Sequence, residues 1–116
     1  MSYESFSEEI EEKEHKFTAT LIKLENAVFA FFDEKGSSKL GTLAAAMPQF
    51  DGKICVSSIL LGTRNEVITK ILAEYTAKTF NGIALVSTHL TDIRASEIGP
   101  ILLKLAQKLI EKANLK

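Results

Sequence analysis

Residues Lys53–Glu66, K-I-C-V-S-S-I-L-L-G-T-R-N-E, carry the change of period that decides the fold. Ile54 to Leu61 is an uncharged run rich in strand formers, and it predicts a buried strand. Gly62 supplies the backbone freedom for a tight turn. Thr63-Arg64-Asn65-Glu66 fits a capping box. In it the Thr63 hydroxyl accepts from the Glu66 backbone N–H, and the Glu66 side chain reaches back to the Thr63 N–H. Val67, Ile68, Ile71, Leu72 and Tyr75 follow at helical spacing and form one apolar stripe. Asn81-Gly82 stops that helix.

Downstream, Ile83 to Leu90 (I-A-L-V-S-T-H-L) reads as a strand. Ser96 is expected to cap a last helix, with Pro100 near its first turn, where a missing N–H does least harm. Ile98, Ile101, Leu102, Leu105, Leu109 and Ile110 make its apolar stripe, and Lys104, Lys108 and Lys112 its wet side.

Upstream the pattern is that of strands. Phe6, Glu8, Ile10 and Glu12 share one parity, which suits an exposed edge strand whose charges discourage pairing with other chains, although six glutamates would also suit a helix. Residues 1–15 form an acidic strand or arm. Phe17 to Leu24 is richer in β-formers, and Glu25-Asn26 suits a hairpin turn. Ala27 to Phe32, A-V-F-A-F-F, is apolar on both parities. Phe29 and Phe31 point one way and Val28, Ala30 and Phe32 the other, so the strand asks for cover on both faces. Asp33 to Ser38 reads as a loop around Gly36. Leu40 to Met47 reads as a strand, although its three alanines would also suit a helix. Pro48 is expected to end it, and Gln49 to Gly52 to form a loop.

The expected architecture is therefore α+β: a single domain over 1–116, a mostly antiparallel sheet of about five to six strands, and two helices packed against it. A chain of 116 residues can bury one core without staples. One cysteine excludes an internal disulfide framework and fits a reducing compartment. No apolar run reaches the ~18 residues of a membrane span, and no signal peptide is evident, so a cytoplasmic and also nuclear location is expected.

Charge is uneven. Residues 1–15 carry six Glu against one Lys, while the remainder carries thirteen Lys or Arg against nine Asp or Glu. No basic cluster is interleaved with aromatics, which argues against nucleic-acid binding.

Catalysis needs converging polar groups, and the sequence shows none. Cys55 sits among Ile54, Val56 and Ile59, a setting that makes a thiol inert. His15 and His89 are far apart, with no partner at metal-ligand spacing. Asp33 and Glu34 are neighbours whose side chains diverge. Gly62-Thr63 joins a strand to a helix start, where N–H groups could hold an anion, but the lysine and glycine spacing of a phosphate loop is missing. No catalytic residue, cofactor or metal is expected, and a binding role leads. An enzyme built on Cys55 or the Gly62-Thr63 turn is the weakest alternative.

K-L-G-T-L (Lys39 to Leu43), V-S-S-I-L-L-G-T-R-N-E (Val56 to Glu66), then I-A-L-V-S-T-H-L and a closing helix resemble the proteasome assembly chaperone 3 and 4 families. K-L-E-N-A-V-F-A-F-F (Lys23 to Phe32) sits where such proteins place two strands joined by a short turn. The likeness covers nearly the whole chain. A-A-A-M-P-Q-F-D is more like chaperone 4, and the first hairpin with K-L-G-T-L more like chaperone 3. The resemblance implies a non-enzymatic chaperone that forms a homodimer, or a heterodimer with a related assembly chaperone. Such chaperones hold proteasome α-subunits while the α-ring of the 20S core particle forms. It also implies that the segment Pro48, Gln49, Phe50, Asp51, Gly52 and Lys53 can reach the α-ring. Phe29 and Phe32 are candidates for the dimer interface. A small dimeric adaptor of the roadblock or longin type, working in a GTPase or trafficking complex, is the alternative.

Overall fold

The computed structural model describes residues 4–12, 15–34, 39–49, 54–90 and 95–114. The elements are β1 (Glu4–Glu12), β2 (His15–Lys23), β3 (Ala27–Glu34), β4 (Thr42–Gln49), β5 (Ile54–Leu61), α1 (Glu66–Phe80), β6 (Ile83–His89) and α2 (Ala95–Asn114). The strands form one six-stranded sheet in the order β1-β2-β3-β6-β4-β5, and the class is α+β as expected. All neighbours are antiparallel except β3 and β6, which run parallel. The insertion of β6 between β3 and β4 was not expected. Consecutive strands read as consecutive neighbours, and nothing local marks a strand that returns through a helix to the middle of a sheet.

Both helices lie on one face. Residues directly opposite in the registers share a face, which groups Phe6 and Ile10 of β1 with Phe17, Ala19 and Leu21 of β2. Val28, Ala30 and Phe32 of β3 continue that row, followed by Ala84 and Val86 of β6 and Ala44 and Ala46 of β4. Apart from Ile10, which is half-buried, these residues are buried, and they meet Ile98, Leu102, Leu105 and Leu109 of α2 and Leu72, Ala73 and Ala77 of α1. The α2 stripe is the one the spacing predicts. Its three lysines do not simply point to water. Lys104 Nζ lies 2.9 Å from Glu12 Oε2, Lys112 Nζ donates to the Ser7 carbonyl at 2.9 Å, and Lys108 Nζ to the Glu9 carbonyl at 3.4 Å.

The α1 stripe is rotated from the expected one. Its buried residues are Ile68, Thr69, Leu72, Ala73, Thr76 and Ala77, whereas Val67 is 73% exposed and Ile71 is also exposed. The strand beneath offers Ala44 and Ala46, so small residues on the helix allow close approach and the bulkier Val67 and Ile71 fall to the side.

The capping box is absent. The N-cap is Asn65, in the left-handed conformation at φ 57, with no side-chain cap bond. The start is held otherwise: the Thr69 hydroxyl donates to the Asn65 carbonyl at 2.6 Å, and the Thr42 hydroxyl donates to the Arg64 carbonyl at 2.5 Å. Asn tolerates the left-handed region, which lets the helix begin two residues later than Thr63 would place it. The other end follows expectation: Asn81 is left-handed and the Gly82 N–H returns to the Ala77 carbonyl at 3.2 Å.

Several boundaries differ, among them the starts of β2, found at His15, and of β4, expected at Leu40 and found at Thr42. Asp33 and Glu34 belong to β3 rather than to a loop. Ser96 lies inside α2, which starts at Ala95 and holds Pro100 within it. Pro48 does not end its strand but pairs with Cys55 of β5, and Gln49 pairs with Ile54. Pairing of β4 to β6 ends at Ala46, so on that side no ladder requires the missing N–H.

Candidate interaction surface

The sheet face turned away from the helices has two unlike halves. On the β1–β2 side it carries Ser5, Ser7, Glu9 and Glu11 opposite Lys16, Thr18, Thr20 and Ile22. Lys16 Nζ sits 2.9 Å from Glu9 Oε1. That half is at ease in water. From β3 to β5 the same face is mostly apolar, with Ser87 and Ser58 among its side chains. Phe29 and Phe31 stack with ring centroids 4.5 Å apart. Leu85 of β6 and Leu43 and Ala45 of β4 continue the surface. Met47, Ile54, Val56 and Leu61 close it at 47–55% exposure. Scattered exposed apolar side chains are ordinary, but a contiguous apolar surface with a polar border marks an interaction site.

The expectation that β5 is buried fails for this reason. It is an edge strand, and among its residues Ile54, Val56, Leu60 and Leu61 are large, apolar and exposed. The signal that could have found the surface is the one seen at Ala27 to Phe32. An uncharged run apolar on both parities buries one face under helices and leaves the other needing cover. The sequence alone could not order the strands, so it could not gather the runs into one surface.

Of the two candidate interface phenylalanines, Phe29 lies on this open face. Phe32 points to the helices, is 1% exposed, and belongs to the core. Pro48 and Gln49 lie at the end of β4 beside Met47. Phe50, Asp51, Gly52 and Lys53 lie outside the described residues.

The remaining chemical candidates scatter. The Cys55 thiol donates weakly to the Glu74 carbonyl at 3.6 Å. Burial, then the Glu74 carboxylate, pushes it above the usual thiol range, away from reactivity. The Ser57 hydroxyl also binds the Glu74 carboxylate. His15 Nδ1 lies 3.6 Å from Glu34 Oε2, on the helix face of the sheet. Among the described residues no three His, Cys, Asp or Glu could together hold a metal ion. At the Gly62 turn a Cβ would lie 2.7 Å from Thr42 Oγ1. Glycine is therefore required by close packing on β4 as well as by its φ of +87.

Asp33 stands apart from these. It lies at the carboxyl end of β3 on the open face, beside His89 of β6. It is 8% exposed, and among the described residues its Oδ1 has no hydrogen-bond partner. Burial raises its carboxyl above the ordinary range, while the Lys39 backbone N–H and then His89 pull it partly back.

No protein-family model matches the chain, and no curated protein does. Its fold is similar to that of a chain in the crystal structure of a novel chaperone complex for yeast 20S proteasome assembly. The TM-score is 0.76 at 17% sequence identity, covering 99% of this chain and 98% of that chain. The two share one fold from end to end.

Proposed function

We propose that this chain is a non-enzymatic chaperone that pairs with a second chain and binds α-subunits while the α-ring of the 20S proteasome core particle assembles. The observation that carries the reading is the open apolar face from β3 to β5, on a fold shared with a component of a proteasome assembly complex. A surface of this kind is unfavourable in an isolated chain and favourable when covered. The paired chain covers it, and the segment from Pro48 to Lys53, at the Met47 end of the same face, reaches the α-subunit.

Co-purification tests this directly. Tagged full-length protein is expected to recover proteasome α-subunits and a stable chaperone partner, and to be absent from finished 20S particles. Recovery of GTPase or trafficking complexes with no α-subunit would overturn it in favour of an adaptor.

A further inference from the structure

The open face from β3 to β5 is mostly apolar, with Ser87 and Ser58 among its side chains, and one corner holds a carboxylate that the described residues leave incomplete. Asp33 is more than nine-tenths buried, with Oδ1 unpartnered. The groups facing it are few. The Lys39 backbone N–H serves the carboxylate, His89 lies alongside on β6, and Thr18 sits opposite on β2. His89 adds an incomplete group of its own, since its buried Nδ1 also lacks a partner among the described residues. Asp33 forms the wall of an open cavity of about 270 Å³ with Thr20, Phe31, Lys39 and Leu40. A buried carboxylate oxygen without a donor is costly, and covering the face with a partner would remove its remaining water.

We propose that this cavity is a socket for a cationic side chain, an arginine or lysine, carried by a non-identical partner chain that packs on the open face. The chemistry fits on three sides. The cation donates to Oδ1, its stem lies along apolar Phe31 and Leu40, and the stacked Phe29–Phe31 pair supplies a negative ring face nearby. Charge decides between a second copy and a different chain. The strands of this face carry Glu9, Glu11 and Asp33 but one lysine, Lys16, which Glu9 already holds, and Lys39, which lines the cavity, already stands beside its own Asp33. Two such faces brought together would set acid against acid, whereas a partner with a basic residue on an apolar patch complements it. The inference rests on the pairing proposed above.

Two arms test it on the full-length chain. In the first, isotope-labelled protein alone is titrated with N-acetyl-arginine amide and, separately, with N-acetyl-citrulline amide. The arginine compound is expected to shift the resonances of Thr20, Phe31 and Asp33 saturably and to lower the Asp33 carboxyl pKa, and the uncharged citrulline compound to do neither. Equal responses, or none at this cavity, overturn the socket whatever the partner is.

In the second arm the purified complex with its chaperone partner is compared with Asp33→Asn. The variant is expected to raise Kd about 30-fold, which matches ~2 kcal/mol at ~1.4 kcal/mol per tenfold. Asp33→Lys should abolish pairing and recover it with one Arg→Glu or Lys→Glu change in the partner. A change in Kd below about 3-fold overturns the socket and leaves the pairing intact. A stable dimer of this chain alone, broken equally by Lys39→Met and Asp33→Asn, overturns the non-identical partner. Absence of any pairing partner counts against the proposed function, and the first arm still decides the socket.

Discussion

The two edges of the sheet are built on opposite principles. β1 places five glutamates in nine residues, and α2 lysines close over it, Lys104 on Glu12 and Lys112 on the Ser7 carbonyl. β5 places no charge in eight residues and leaves Ile54, Val56, Leu60 and Leu61 exposed. Charge on an edge discourages strand pairing, and its absence invites contact. One edge is completed within the chain. The other adjoins the apolar face and is left open.

The comparison breaks most sharply in the core behind β1. Phe17 on β2 is fully buried opposite Ile10. Phe17→Ala should cost about 3–5 kcal/mol, read as a lowered denaturant midpoint. On the β5 side, Val56→Lys should change stability by less than ~1 kcal/mol and abolish pairing, because the side chain has half its surface in water already. A loss of stability as large as that of Phe17→Ala would mean that β5 belongs to the core, and the contrast between the edges would be false. Phe29→Glu extends the same test along the open face, with folded, unpaired chain as the expected product.

Asp33 gives the next smaller effect, with a definite sign. Its folded-state pKa is raised, chiefly by burial. Ionisation is therefore harder in the folded chain than in the unfolded one, and at neutral pH the group destabilises the isolated protein. As pH falls through the raised value toward the ordinary aspartate range, the folded chain takes up the proton first and the penalty disappears. Asp33→Asn should thus be more stable than the parent at pH 7, with the difference shrinking toward pH 4 in thermal melts. Equal stability at both pH values would show that Asp33 is solvated in the free chain.

How much of this was legible in the sequence follows the range of the interactions. Alternation along Glu4–Glu12 and the i, i+3, i+4 spacing from Ile98 to Ile110 are local, and both elements stand where the pattern put them. Strand over helix for the alanine run was also right, although the run pairs with β6 and β5 rather than beside Ala27 to Phe32, where it was expected to lie. The α1 stripe misled because Val67 and Ile71 satisfy the spacing but not the space over Ala44 and Ala46. Thr63 and Glu66 had the right spacing for a cap, yet Thr42, twenty-two residues away, takes the Arg64 carbonyl and shifts the start. The open face was the least legible feature. It joins residues from β3, β6, β4 and β5, and its continuity depends on β6 crossing between β3 and β4. The acid at its corner was read as a turn residue for the same reason.

The smallest effect concerns the lysine closure of β1. Lys104, 60% exposed, and Lys112, 51% exposed, meet partners at the protein surface, where screening and side-chain entropy take most of the Coulomb gain. Lys104→Ala and Lys112→Ala should each cost under ~1 kcal/mol, and the cost should fade at high salt. Their specific readout is hydrogen exchange of the β1 amides, which should quicken while those of β3 and β6 do not. If β1 instead unpairs completely in the double variant, the strand is held by charge rather than by Phe6 and Ile10 against α2. β1 would then be a detachable edge, and both ends of the sheet would be open to partners. If it stays paired with only faster exchange, the glutamates serve mainly to keep other strands away, and the asymmetry between a closed edge and an open one is a property of the folded chain.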